Sequence, residues 1–157
     1  MSRLRKNATL GLTAAGVLAV GLVGGYEGLK LVAYRDIAGV PTVCFGETRG
    51  VKMGDRYTAE ECRAMLGDAL VEFETGMRRC LAQPDKIPDK PYVAFLSLTY
   101  NIGIGAFCRS SVARLANEGR LPQACDAMLA WNKAGGKVVK GLQRRRAEER
   151  DICRSGL

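Results

Sequence analysis

The feature that most constrains the fold is a helical periodicity of apolar residues sustained from Cys62 to Leu81. Apolar side chains recur three or four positions apart over this stretch, which is typical of one long helix with a single buried face. The preceding Thr58-Ala59-Glu60-Glu61 has a threonine three residues before a glutamate, the capping box that begins a helix. Pro84 stops the chain from continuing the helix far beyond Leu81. A chain of 157 residues can place one lobe on each side of such a helix.

The segments on either side of the long helix differ in character. Before it, residues 43–57 contain short apolar runs separated by glycine-rich turns, which predicts a small β element with strands at 43–45 and 51–53. After it, residues 92–102 are apolar on nearly every face, which predicts the buried central helix of a second lobe. We also predict turns at 103–111 and 134–136, and helices at 112–118, 122–131 and 144–153. This pattern indicates an α+β fold.

Two carboxylates and a hydroxyl lie within sixteen residues of each other, at Glu27, Asp36 and Thr42. Residues 29–33 follow Glu27 with roughly helical spacing of apolar side chains, so we place Glu27 on a helix. Residues 36–41 carry turn formers, which places Asp36 on a turn and Thr42 at the start of a strand.

This set of side chains suits glycoside hydrolysis. One carboxylic acid protonates the leaving oxygen, while a second carboxylate attacks the sugar or directs a water. A threonine hydroxyl beside the second carboxylate can both donate and accept a hydrogen bond. On spacing alone, however, most pairs of acidic residues are solvated surface charge.

The order Glu27-x8-Asp36-x5-Thr42, continued by Val43-Cys44-Phe45-Gly46-Glu47-Thr48, resembles the phage-type lysozymes, the muramidase family of T-even phage lysozyme. Three later stretches fit the family in the same order: Tyr100-Asn101-Ile102-Gly103, Trp131-x3-Gly135-Gly136-Lys137 and Gly141-Leu142-x2-Arg145-Arg146. The similarity extends from about residue 26 to the C-terminus. It implies a lysozyme-like fold with two lobes, a small β-hairpin lobe and a larger helical lobe joined by the long helix.

The resemblance also implies an activity, the hydrolysis of the β-1,4 bond between N-acetylmuramic acid and N-acetylglucosamine in peptidoglycan. Glu27 would be the general acid, and Asp36 with Thr42 would hold the water or the developing cation. Tyr100, Asn101 and Ser110 would bind the substrate. An arginine, best matched by Arg145, would lie against Glu27. Its charge would lower the pKa of Glu27, whereas burial would raise it, as a general acid requires.

The residues leave two other functions open. A lytic transglycosylase could work with one acid and no placed water, and it would leave an anhydro-muramic end instead of a reducing sugar. A membrane-tethered protein that only binds the cell wall would need no acid at all. One departure from the family is also visible: many relatives carry histidine where this chain has Glu47, and this chain contains no histidine.

Residues 8–25 carry no charge and follow the basic residues Arg3, Arg5 and Lys6. Eighteen helical residues span about 27 Å, slightly less than a hydrocarbon core of about 30 Å. Leu and Val are a minority in this run, which is rich in Gly and Ala, so its insertion into a membrane would be marginal. The basic flank predicts that the N-terminus stays inside and the rest of the chain is exported.

Three interpretations of this run remain open. Cleavage of a signal peptide after Gly24 or Gly25 would leave Glu27 without the helical turn that positions it. A buried helix of a soluble protein would not explain the basic flank. A weak anchor that inserts and later leaves the membrane explains both, and it resembles the signal-anchor-release segment of some lambdoid phage endolysins. We therefore expect such a segment at 1–25 and a lysozyme-like catalytic domain at 26–157, tethered to the host inner membrane on its periplasmic side and then released to the periplasm.

Charge and cysteine content restrict the partners. The formal net charge of +8 permits nucleic acid, anionic lipid or an acidic polymer such as a cell wall as a partner, and the chain contains no pattern typical of nucleic-acid binding. We expect peptidoglycan, which the resemblance implies, no nucleic acid, and a monomer. The absence of histidine and of C-x2-C spacing argues against zinc, and we expect no metal and no cofactor.

Export would allow the cysteines to form disulfides. Six cysteines allow fifteen pairings, and spacing does not choose among them. The resemblance implies Cys44–Cys62, Cys80–Cys108 and Cys125–Cys153.

Overall fold

The computed structural model describes residues 1–5 and 11–157. Lys6 of the basic flank and the start of the apolar run, residues 8–10, lie outside the described residues. The described chain divides into two compact units. The first unit is Arg3–Val71, and the second unit is Met1–Ser2 with Glu72–Leu157.

The first unit begins with helix α1 (Ala14–Glu27). Thr13 caps it, because its side-chain oxygen accepts the N–H of Gly16 at 3.1 Å. Gly28 ends it with a φ of 73°, a left-handed conformation that glycine adopts without steric cost. The helix thus stops immediately after Glu27.

One face of α1 is buried, and the segment before it folds back on the unit. The buried face is formed by small and β-branched residues at Ala15, Gly16, Ala19, Val20 and Val23. The carbonyl oxygen of Leu4, a fully buried residue, accepts the N–H of Thr13 at 2.9 Å. Arg5 forms an ion pair with Asp68 at 2.5 Å. Within the described part of the chain, no helix combines the length and the apolar character needed to cross a membrane.

An antiparallel hairpin of β1 (Lys30–Arg35) and β2 (Pro41–Cys44) follows α1. Tyr34 pairs with Thr42, Arg35 pairs with Pro41, and the register shifts between Lys30 and Tyr34. The predicted helical character of residues 29–33 is therefore wrong, because α1 ends before Gly28, which has a positive φ, and residues 30–35 form a strand in which only Ala33 is buried. The strand predicted at 42–45 is confirmed, but its partner is β1, and residues 51–53 lie in a loop.

The long helix α2 (Ala59–Arg79) has 21 residues, and the boundary between the two units falls within it. The predicted capping box is present. The Glu61 carboxylate accepts the N–H of Thr58 at 2.7 Å, and the Thr58 hydroxyl accepts the N–H of Glu61 at 3.1 Å.

The second unit is helical apart from one short hairpin. Its helices are α3 (Asp89–Ile102), α4 (Ile104–Cys108), α5 (Ser111–Asn117), α6 (Leu121–Ala127) and α7 (Lys140–Arg154), with 3₁₀ turns at Pro84–Lys86 and Met128–Ala130 and strands β3 (Lys133–Ala134) and β4 (Lys137–Val138). As predicted, α3 is buried over most of its length, and α7 packs against it. The turn predicted at 103–111 is wrong in its centre, where α4 forms. The last helix begins earlier than predicted, at Lys140.

Each unit contains disulfides within itself. Cys44–Cys62 joins the end of β2 to α2 in the first unit, while Cys80–Cys108 and Cys125–Cys153 lie in the second unit. These are the pairs that the family resemblance implies. The last of them ties α6 to α7.

Candidate active site

Glu27 lies on a helix, as the sequence predicts, but it is the last residue of α1, whereas the predicted helical spacing continues to residue 33. Its side chain is exposed. The following Gly28 directs the chain into β1 at Lys30. The carboxyl group of Glu27 is therefore carried at an exposed helix end.

Asp36 lies on the turn between β1 and β2, also as predicted. One of its carboxylate oxygens, Oδ1, accepts the N–H groups of Ala38 and Val40, each at 2.9 Å. Its own N–H donates to the Val40 carbonyl at 3.0 Å, and the Gly39 N–H donates to the Asp36 carbonyl at 2.9 Å. Gly39 permits this tight turn because its φ is 79°. Asp36 therefore shapes the turn that holds it.

Thr42 lies near the start of β2 and is buried, with 4% of its surface exposed. Its hydroxyl donates to the carbonyl oxygen of Val40 at 2.9 Å. Since the N–H of the same Val40 donates to Asp36, one residue fixes the positions of both side chains. The hairpin thus brings Asp36 and Thr42 together, and Glu27 belongs to the same unit at the other end of β1.

The predicted substrate-binding residues lie in the second unit. Tyr100, near the end of α3, is partly buried and packs against Phe73, with ring centroids 4.9 Å apart. Asn101 is exposed, and its Oδ1 accepts a hydrogen bond from Arg146 at 3.2 Å. Ser110 is buried and caps α5, because its hydroxyl donates to the Phe107 carbonyl at 2.6 Å and accepts the Ala113 N–H at 3.1 Å. Its hydroxyl hydrogen is therefore engaged within the helix cap.

Arg145, the predicted partner of Glu27, is buried in the second unit. Its Nε donates to Glu149 at 3.1 Å, and its Nη2 lies 3.3 Å from the Ser97 carbonyl oxygen. The pairing with Glu27 remains a prediction. The structure adds Glu149, which the sequence analysis did not single out, as the centre of a charged cluster with Arg145 and Arg146.

A signal for Glu149 was present in the sequence. It follows Arg146 by three residues and Arg145 by four, the spacings at which side chains meet on one face of a helix. Burial raises the pKa of Glu149, and the charges of Arg146 and Arg145 and the Ser97 hydrogen bond oppose that rise.

The structure also shows what Glu47 does where many relatives carry histidine. Its carboxylate accepts the N–H groups of Thr48 and Arg49 at 2.9 and 2.8 Å and pairs with the Arg49 guanidinium at 3.2 Å. The turn after β2 is thus stabilised locally. Across residues 1–5 and 11–157, no group of three or more His, Cys, Asp or Glu side chains is arranged to bind a metal ion.

Comparison with known proteins identifies a family. The sequence model described as "Phage lysozyme" matches residues 24–149. The chain is 39% identical to the SAR-endolysin of Enterobacteria phage P21, over 90% of this chain and 87% of that protein. It is 38% identical to the SAR-endolysin of Pseudomonas phage phiKMV, over 98% and 92% of the two chains. Among solved structures, it is similar to a mutant of P22 lysozyme, with a TM-score of 0.79, 34% identity, and coverage of 86% of this chain and 94% of that one.

Proposed function

We propose, from the premise that this chain belongs to the phage lysozyme family, that Glu27, Asp36 and Thr42 carry out its chemistry. The protein is an endolysin muramidase, a glycoside hydrolase that cuts the β-1,4 bond between N-acetylmuramic acid and N-acetylglucosamine in peptidoglycan during host lysis. The residue roles rest on the hairpin, in which Val40 ties Asp36 to Thr42.

In the proposed mechanism, the Glu27 carboxylic acid donates its proton to the glycosidic oxygen as the bond breaks. The turn holds Oδ1 of Asp36, so the carboxylate cannot swing freely, and we assign Oδ2 to the attacking water or the developing cation. Thr42 donates to the carbonyl oxygen of Val40, the residue whose N–H donates to Asp36, so both side chains are held by Val40. Tyr100 and Asn101 bind the sugar, and Arg145 is the cationic partner of Glu27.

Analysis of the products tests the reaction. Digestion of purified peptidoglycan should release fragments with a reducing N-acetylmuramic acid end, because water completes the reaction. Anhydro-muramic ends would identify a lytic transglycosylase. Binding to peptidoglycan without any new chain end would identify a wall-binding protein.

We further propose that residues 1–25 first tether the enzyme to the host inner membrane and then release it to the periplasm, where it acts as a monomer. The packing of α1 supports this proposal. Ala19 and Val23 of α1 are buried in the first unit. If residues 14–25 lay in a bilayer, these two side chains could not be buried there at the same time. Leu4 and Arg5, which precede the apolar run, contact Thr13 and Asp68. The tethered and the packed states therefore exclude each other.

Stronger insertion should prevent release. A β-carbon added at Gly11 or Gly21 would meet no neighbouring atom within 4 Å, whereas at Gly16 it would overlap the carbonyl oxygen of Leu4, so we substitute leucine at Gly11 and Gly21 only. Each Leu favours insertion by roughly 0.3–0.6 kcal/mol. After addition of a depolarising agent, the Gly11→Leu/Gly21→Leu variant should stay in the membrane fraction and fail to lyse cells.

The wild type and the control Gly141→Leu, which makes the same change at an open position of α7, should move to the soluble fraction at full length. A wild-type protein shortened at its N-terminus would show that the run is a cleaved signal. Release of the double variant at the wild-type rate would contradict the proposed tether.

A further inference from the structure

A cluster of three charged side chains is buried in the second unit between α3 and α7. Glu149 and Arg146 have no exposed surface, and Arg145 is 6% exposed. Ser97 of α3 is also fully buried and donates to Glu149 at 2.6 Å. Burying three charges is expensive, and apolar residues of similar volume often pack as stably, so stability alone does not account for the cluster.

The cluster holds Arg146 in a single orientation. Oε1 of Glu149 accepts Nη2 of Arg146 at 2.9 Å, and Oε2 lies 2.8 Å from Nε of Arg146. The first of these contacts is a hydrogen bond and the second is an ion-pair contact without hydrogen-bond geometry, and together they hold the planar guanidinium against both carboxylate oxygens. Ser97 and Arg145 bind Oε1 as well and so keep the Glu149 carboxylate from rotating. The remaining nitrogen, Nη1, is thereby aimed along α3.

That nitrogen meets Asn101. Nη1 of Arg146 donates to Oδ1 of Asn101 at 3.2 Å. Arginine has donors only, so the amide of Asn101 must offer its oxygen to Arg146 and direct its NH₂ group away from the cluster. Asn101 is exposed, whereas Ser97, one helical turn earlier on the same face of α3, is buried. The cluster therefore extends from the core to the Asn101 amide at the surface. Its contact with Oδ1 leaves the NH₂ group of that amide facing outward.

We infer that Glu149 and Arg146 are positioning residues that lock Asn101 as a hydrogen-bond donor toward the glycan. The ligand group would be an acceptor oxygen of the saccharide, such as the carbonyl oxygen of an N-acetyl group. This inference rests on the proposed function, in which Asn101 binds the sugar. A freely rotating amide would present its oxygen as often as its NH₂ group, and an oxygen facing an acceptor cannot form a hydrogen bond.

Two substitutions of Asn101 separate its hydrogen bond to the sugar from its contact with Arg146. Asn101→Asp keeps an acceptor for Arg146 and strengthens that contact by adding charge, but it cannot donate to a sugar. Asn101→Leu removes both functions. KM for soluble peptidoglycan fragments should rise about threefold to tenfold in both variants, as expected for one lost hydrogen bond, while the thermal midpoint falls only in Asn101→Leu.

Arg146→Lys tests whether Glu149 and Arg146 act through Asn101. Lysine keeps the charge but lacks the planar fork, so it cannot bind Glu149 and Asn101 together in the same geometry. It should raise KM in the wild-type background and have little further effect on KM when Asn101 is already Leu, even though the stability of both proteins falls. A purely structural role would give additive effects. Asp126→Asn, which breaks the exposed ion pair between Asp126 of α6 and Arg154 of α7, is the control and should leave KM unchanged.

The outcomes separate the inference from the proposed function. If wild-type protein cleaves peptidoglycan but neither Asn101 variant changes KM, the inference is wrong and the muramidase assignment stands. If the KM effects of Arg146→Lys and Asn101→Leu are additive, Arg146 does not act through Asn101. If wild-type protein cleaves no glycosidic bond, the proposed function is wrong, and the inference is lost with it.

Discussion

At the scale of single residues, Asp36 combines a structural and a chemical task. Its Oδ1 accepts two backbone N–H groups of the hairpin turn, while the proposed chemistry requires its negative charge. The two tasks respond differently to substitution, because asparagine retains an acceptor oxygen at the same distance from the backbone and alanine does not. The hairpin therefore allows structure and catalysis to be tested apart.

We predict that Asp36→Asn folds with nearly the wild-type thermal midpoint but clears peptidoglycan at least tenfold more slowly, because the charge is lost. Asp36→Ala should be equally slow and also less stable by about 1–2 kcal/mol, since two hydrogen bonds of about 1 kcal/mol each are removed. Thermal unfolding and turbidity clearing of purified peptidoglycan measure the two effects. If Asp36→Asn clears peptidoglycan at the wild-type rate, Asp36 takes no part in the reaction.

Glu47 gives a prediction about pH. The side-chain hydrogen bond from Arg49 lowers the pKa of Glu47 below 4.5, with burial acting in the opposite direction. Because the folded pKa is depressed, this stabilisation is fully present above about pH 4.5 and is lost as the pH falls through the folded value.

Glu47→Gln keeps an acceptor for the turn but removes the charge, so it should lower stability at pH 7 by less than about 1 kcal/mol. The difference in thermal midpoint between Glu47→Gln and the wild type should shrink as the pH falls below about 4.5 and Glu47 takes up a proton. A midpoint difference that stays the same from pH 7 to pH 3 would show that the ion pair is not its cause.

At the scale of elements, the periodicity of apolar residues predicted the long, regular helices. The capping box and more than five turns of apolar spacing specify α2, and the all-round apolar character of residues 92–99 specifies α3. Glu27, Asp36 and Thr42 were placed correctly on a helix, a turn and a strand, but the end of the helix at Glu27 was not predicted.

Short elements could not be predicted in the same way. Leu29, Val32 and Ala33 fit a helical spacing, yet α1 ends at Glu27, Gly28 has a positive φ, and the pairing with β2 places Val32 and Ala33 in a strand. Helix α4 has only five residues, too few for a period to emerge. The buried cluster around Glu149 depends on the packing of α7 against α3, which no local pattern reports.

The disulfide between α6 and α7 gives a prediction at this scale. Cys125 and Cys153 are 28 residues apart in sequence, and both are fully buried. Replacing both with alanine should lower the free energy of unfolding by about 3 kcal/mol, as measured by denaturant titration, because the unfolded chain gains freedom.

Mass mapping of the exported wild-type protein under non-reducing conditions should recover all three disulfide-linked peptide pairs and no free thiol. Two or more free thiols, or a bond between Cys44 and Cys153, would contradict this pairing.

At the scale of the whole molecule, the proposed chemistry is divided between the two compact units. The first unit carries Glu27 and the hairpin, and the second unit carries Tyr100, Asn101 and the charged cluster of α7. The same first unit also contains α1, whose last residue is the proposed acid. The proposed catalysis and the proposed release from the membrane would therefore depend on one helix, since in that proposal α1 folds outside the membrane before Glu27 lies at its end.

The central claim is that Glu27 is the general acid of a muramidase, and the rate of Glu27→Gln on purified peptidoglycan tests it most directly. The loss of a general acid should slow clearing by at least 10²–10⁴-fold. The thermal midpoint should change little because Glu27 is exposed. Glu60→Gln, at an exposed glutamate in the first turn of α2, is the matched control and should clear peptidoglycan at the wild-type rate. Clearing by folded Glu27→Gln at near the wild-type rate would contradict the account.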